Sequence, residues 1–155
     1  MNTNNLDLFI KAAEEIFTEI GFSNLEITNN KKENQNFDII ANIGITGEIS
    51  GFLFIRSDLQ SSMNFINKML SNMGMDAEES DFGEFHKEAF GEILNQISGR
   101  AVMLLESKGI DSDITPPTIL RGTNITMGAN SAEIALHKTV EGSFGSFDIL
   151  LGVKK

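Results

Sequence analysis

No cysteine occurs among the 155 residues, so neither a disulfide nor a thiolate metal site is available to this chain. Tryptophan and tyrosine are also absent, and the 12 aromatic residues are all phenylalanine. Rings without a polar edge point to core packing, not to a platform on which bases stack. Positive charge is scarce: Lys and Arg number 12 against 22 Asp and Glu, a formal net charge of −10. Such a surface repels phosphate backbones and anionic lipid, which argues against a nucleic-acid or membrane partner. It leaves open a protein partner with a basic rim. No apolar run approaches the length of a membrane span, and the start, Met-Asn-Thr-Asn-Asn-Leu-Asp, lacks a basic n-region. A cytoplasmic location is therefore expected. Hydrophobic residues still make up 41% of the chain and charged residues 22%, the balance of a globular protein able to bury a core. One domain over residues 1–155 is expected.

What is present is patterned. Phe9, Ile10, Ala13, Ile16, Phe17 and Ile20 recur at helical spacing and predict an opening helix that stops at Gly21. Short β-prone runs follow at 25–28, 37–45 and 49–55. Thr46-Gly47 is the expected hairpin turn between the last two, and the polar stretch 31–36 the tip of another. Asp58 stands where it would N-cap a second helix carrying Met63, Ile66, Met69 and Leu70. An acidic connector over 71–80 leads to a long third helix, from about residue 82 to 108. Beyond Pro116-Pro117, the only prolines, the chain becomes strand-like again at 118–127, 132–140 and 147–153. This order predicts an α+β fold, a sheet with helices packed on it.

The order also reads as one unit used twice. Glu15-Ile16-Phe17-Thr18-Glu19-Ile20-Gly21 parallels Glu92-Ile93-Leu94-Asn95-Gln96-Ile97-Ser98. Both begin with Glu-Ile, keep their apolar positions and lead through a glycine into a strand region.

The third helix is the informative segment. At about 100° per residue, Phe90, Ile93, Leu94, Ile97, Ala101, Leu104 and Leu105 fall in one sector and face the core. Glu84, Glu88, Gly91, Glu92, Asn95 and Gly99 lie opposite. Glu92 and Asn95, three apart, sit together on that outer face. Gly91 and Gly99 each cost roughly 1 kcal/mol relative to alanine in a helix interior. On an outer face they leave a shallow surface that a partner's backbone can approach. The alternative is that Gly91 admits a neighbouring element of the same fold. A glycine at each end of the Glu-Asn pair favours docking.

The run Glu88-Ala89-Phe90-Gly91-Glu92-Ile93-Leu94-Asn95-Gln96-Ile97-Ser98-Gly99-Arg100-Ala101 resembles the signature of the CheC/CheX phosphatases. There an Asp or Ser is followed four residues later by Glu, three later by Asn, and further along by Pro. Pro116 and Pro117 satisfy the last element, while Glu88 departs from the usual Asp or Ser. The resemblance implies a CheX-like fold: a six-stranded, largely antiparallel sheet from two α-β-β-β units, with helices packed on it. It implies hydrolysis of the aspartyl phosphate of a response-regulator receiver, with Glu92 docking on the partner's Lys and Asn95 orienting the attacking water. Glu88, Gly91 and Gly99 would contact the partner, and Mg²⁺ would sit on the phosphorylated receiver, with no cofactor or metal on this chain. Thr18 stands where the second unit has Asn95, so one active site per chain is expected, as in the CheX branch, together with a homodimer. A non-catalytic CheX-like adaptor is the competing expectation.

Other residues are weaker candidates. His86 and His137 lack metal-ligand spacing. Glu106, Asp111 and Asp113 form a loose acidic group expected to be solvated, and the methionines suit core gaps or an interface.

Overall fold

The structure is a computed structural model that describes residues 3–29, 37–75, 82–125 and 132–154. In chain order the elements are α1 (Thr3–Glu19), β1 (Glu26–Asn29), β2 (Phe37–Gly47), β3 (Gly51–Ser57), α2 (Leu59–Asn72), α3 (Glu84–Glu106), β4 (Ser112–Ile114), β5 (Thr118–Ile125), β6 (Ala132–Gly142) and β7 (Gly145–Lys154). No helix among the described residues is long and apolar enough to cross a membrane. The polar tip at 31–36 and the end of the acidic connector, 76–80, lie outside the described residues.

The strands form one antiparallel sheet in the order β1-β6-β7-β3-β2, and β2 pairs at its outer edge with both β4 and β5. With β5 at that edge, exchanging the two halves of the chain leaves the order unchanged. The first strand of each half pairs with the second strand of the other, and the two third strands, β3 and β7, meet at the centre. This is the arrangement a duplicated α-β-β-β unit produces.

The described strands number seven, one more than expected, because the last edge is broken into β4 and β5. Pro116 and Pro117 have no N–H to give to a ladder, so a continuous edge strand cannot run through them. Thr115 bridges the break: its N–H donates to the Gly44 carbonyl at 3.0 Å, and its Oγ1 accepts from the Gly44 N–H at 2.8 Å. The same edge moves the expected Thr46-Gly47 turn. Thr46 and Gly47 still pair with Asp113 and Ser112, so β2 runs on and the chain reverses over residues 48–50.

Local signals account for the helix ends. Asp58 Oδ1 accepts from the Ser61 N–H at 2.7 Å, which caps α2 as its position predicted. Helix α3 starts at Gly83 without a side-chain acceptor of that kind; instead His86 Nδ1 accepts from the Gly83 N–H at 3.3 Å.

Leu53, Ile55, Ile149 and Leu151 on the central strands face the helices and are buried with Phe9, Ile16 and Phe17 of α1 and Leu94, Ile97 and Leu105 of α3. Helix α2 contributes Phe65, whose ring stacks on Phe22 at 4.6 Å and meets Phe144 and Phe147 edge-on at 5.0 and 5.1 Å. The other face of the sheet carries Arg56, Asp148, His137 and Thr139. The buried Asp148 carboxylate accepts from Arg56 Nε at 3.3 Å and from Thr139 Oγ1 at 3.0 Å, and lies 3.1 Å from His137 Nε2. A buried charge survives there because it is paired and hydrogen-bonded. Since Phe65 joins α2 to both halves, Phe65→Ala is expected to lower stability by about 3–5 kcal/mol, read as a shift in the urea midpoint with the slope unchanged.

Candidate functional site

Burial of Phe90, Ile93, Leu94, Ile97, Ala101 and Leu105 along one side of α3 sets the rotation of that helix about its axis. With the rotation set, Glu88, Glu92 and Gln96 are exposed, and Asn95 lies half-buried at the margin of the same face. Glu92 and Asn95 are therefore surface neighbours one turn apart. Gln96 Nε2 donates to Glu92 Oε1 at 3.4 Å, a long bond that biases the carboxylate along the helix. The Asn95 carboxamide makes no hydrogen bond with any described residue, so its donors and its acceptor are open to another molecule. The site thus offers one anion and one neutral amide side by side.

The two glycines differ. Gly99 is half-buried, and apart from its own helix no described atom comes within 4 Å of where a Cβ would stand, so the surface there is bare. Gly91 is buried. A Cβ there would meet Ile119 Cδ1 at 2.7 Å and Pro117 Cγ at 3.6 Å. Its expected place on an open outer face is corrected: the start of β5 packs against α3 at Gly91, which is the alternative the sequence left open. Hydrophobic periodicity could not show this, because the covering residues lie almost thirty positions away and reach α3 only through the β5–β2 pairing.

The corresponding residues of the first half make different contacts. Thr18 is exposed and donates from Oγ1 to the Glu14 carbonyl at 2.9 Å. Glu15, which corresponds to Glu92, accepts from Arg100 at 3.3 Å, and Glu19 accepts from the same guanidinium at 2.7 Å. Those bonds, Glu19's first, raise the pKa of Arg100 above its ordinary value. Sequence reading missed this clamp. Its only local trace is the i, i+4 spacing of Glu15 and Glu19, which singles out no partner.

The remaining candidates have structural uses. His86 is buried, stacks on Phe82 at 5.3 Å, and its Nε2 lies 3.1 Å from Asn67 Oδ1. Nδ1 accepts from Gly83, so the proton belongs on Nε2, where it is donated to Asn67. His137 belongs to the Asp148 network. Among the described residues no three His, Asp or Glu side chains gather as metal ligands. Glu106, Asp111 and Asp113 are exposed.

With this geometry in view, residues 39–140 match the family model described as "Chemotaxis phosphatase CheX". The chain belongs to the CheX family. A relative from Thermotoga maritima, named CheY-P phosphatase CheX, is 31% identical over 116 residues, covering 75% of this chain and 72% of that protein. The fold is shared with a CheC-like superfamily protein from Shewanella sp. PV-4, at a TM-score of 0.82 and 22% identity over 100% of both chains. It is shared as well with CheX in the CheX–CheY–BeF₃–Mg²⁺ complex from Borrelia burgdorferi, at a TM-score of 0.75 and 22% identity over 97% of each chain.

His86 tests the separation of support from chemistry. His86→Ala leaves the Asn67 carbonyl and the α3 start without their partner, and is expected to lower stability by about 1–3 kcal/mol in urea titration. The far-ultraviolet spectrum of the folded protein should be unchanged.

Proposed function

We propose that this chain accelerates hydrolysis of the aspartyl phosphate on a CheY-like receiver domain, through one site made by Glu92 and Asn95. The observation that carries the reading is the pairing on α3 of an exposed carboxylate with an amide that no described residue engages. The relative named for action on CheY-P and the relative found in complex with CheY supply the partner class.

The chemistry asks little covalent help from the protein. Phosphoryl transfer from an acyl phosphate to water passes through a loose transition state, so catalysis consists of positioning and charge stabilisation. Asn95 reaches the phosphorylated pocket and holds the attacking water through one donor and one acceptor; being no base, it leaves the proton to solvent and phosphate. Glu92 pairs with a cationic side chain beside that pocket and sets the angle at which α3 lies on the partner. Glu88 and Gly99 extend the contact, the first as a further anion and the second as a bare surface. On this reading the Mg²⁺ belongs to the receiver. A homodimer and a cytoplasmic place of action belong to the same proposal, and sedimentation velocity reads the first directly.

The adaptor alternative gives the free amide no task. The decisive experiment loads a receiver with phosphate, adds the protein in catalytic amount and follows loss of the phosphoryl group. Asn95→Ala is expected to lower kcat by about a hundredfold or more while the receiver still binds. Glu92→Ala is expected to weaken binding by about tenfold or more, with a reduced dependence on salt. Thr18→Ala should be indistinguishable from the parent; loss of activity there would rule out a single site. Tight binding with no acceleration by the parent protein would establish the adaptor instead.

A further inference from the structure

Gly91 lies one helical turn before Asn95, so the two share a flank of α3. On that flank the start of β5 closes against the helix, with Ile119 Cδ1 2.7 Å and Pro117 Cγ 3.6 Å from the point where a Gly91 Cβ would stand. The closing segment is held at both ends. Ile119 is paired with the fully buried Ala41 of β2, and Thr115 is bonded twice to Gly44 of the same strand. Between those anchors run two prolines with restricted φ, so the segment is stiff.

The first half of the chain shows the same scaffold without this closure. Glu14 occupies the position corresponding to Gly91, and Thr18 that of Asn95. There Leu25 and Ile27 line a groove of about 340 Å³ with Glu14, Phe17 and Thr18. The half that has the amide has the glycine and the packed wall; the half that lacks the amide has a glutamate and an open groove.

We infer that Gly91 is a positioning residue for Asn95. The missing side chain lets the Ile119 terminus lie against α3 beside the Pro117 ring, and this wall limits the directions open to the neighbouring carboxamide. This rests on the phosphatase reading for its consequence in turnover, though not for its geometry. A reaching amide with free rotation visits many orientations that hold no water in line; a wall on one side removes part of them before the partner arrives.

A double-mutant cycle on the full chain tests this. Gly91→Ala adds the methyl that meets Ile119 Cδ1, and Ile119→Val removes that atom, so the double variant relieves the contact it creates. Because the added methyl meets the end of a flexible side chain, Gly91→Ala is expected to lower kcat about threefold with KM nearly unchanged, and the double variant to recover most of the loss. The second readout needs no activity: the side-chain amide signals of Asn95 in a ¹⁵N–¹H spectrum, assigned by their disappearance in Asn95→Ala. They are expected to shift in Gly91→Ala and return toward their parent positions in the double variant. A double variant no better than Gly91→Ala, or amide signals that stay in place in Gly91→Ala, would overturn the inference. So would a lowered thermal midpoint with kcat and KM disturbed alike, since that marks a role in folding only. If the parent protein turns over no phosphorylated receiver, the proposed function fails, and the amide signals still decide whether Gly91 positions Asn95.

Discussion

The rotation of α3 against the sheet is the constraint on which the remaining features depend. Six large or close-packed side chains, from Phe90 to Leu105, are buried on one side of that helix. Turning the helix by one residue, about 100°, would bring several of them into water, at about 1.5–3 kcal/mol each. A helix held at that cost presents its opposite side in one orientation only. Glu92 and Asn95 inherit their direction from the core beneath them, so the pair needs no loop to carry it.

The duplicated architecture explains how one scaffold supports two outcomes. Exchange of the halves leaves the strand order unchanged, and α1 and α3 pack side by side over the sheet. In α3 the acidic residue of the repeated motif faces outward. In α1 its counterpart, Glu15, is turned with Glu19 onto Arg100 and serves to join the two helices. Such a partly exposed ion pair contributes little stability, but it engages a carboxylate that would otherwise be available to a partner. Thr18, too short to reach and bonded to its own helix, completes the difference. The fold tolerates this divergence because it rests on apolar periodicity and strand pairing, and both halves keep those.

Glycine has opposite meanings at the two ends of the site. Gly99 has no described neighbour beyond its own helix where a Cβ would stand. Gly91 makes room for the chain's own edge strand. The stiffness of that edge comes from Pro116 and Pro117, which break the ladder and leave Thr115 to bridge the gap. One short stretch therefore interrupts the sheet and packs against α3 at Gly91.

The amino-acid sequence by itself determined what depends on neighbours within a turn or a strand. The core stripe of α3 and its polar back, the Asp58 cap and most of the strands are written in spacing, because burial of one face imposes a period of 3.6 or 2 on the residues that supply it. The outward pair Glu92 and Asn95 followed from the same periodicity. Only the tertiary structure decided that Gly91 is covered, that the Thr46-Gly47 turn lies further on, that the edge splits into β4 and β5, and that Arg100 holds Glu15 and Glu19. Each of these depends on which remote segment arrives beside which. Ile119 reaches Gly91 because β5 pairs with β2, and nothing in the residues around Gly91 specifies that pairing. Periodicity tells a side chain which way to point; the fold decides what it meets.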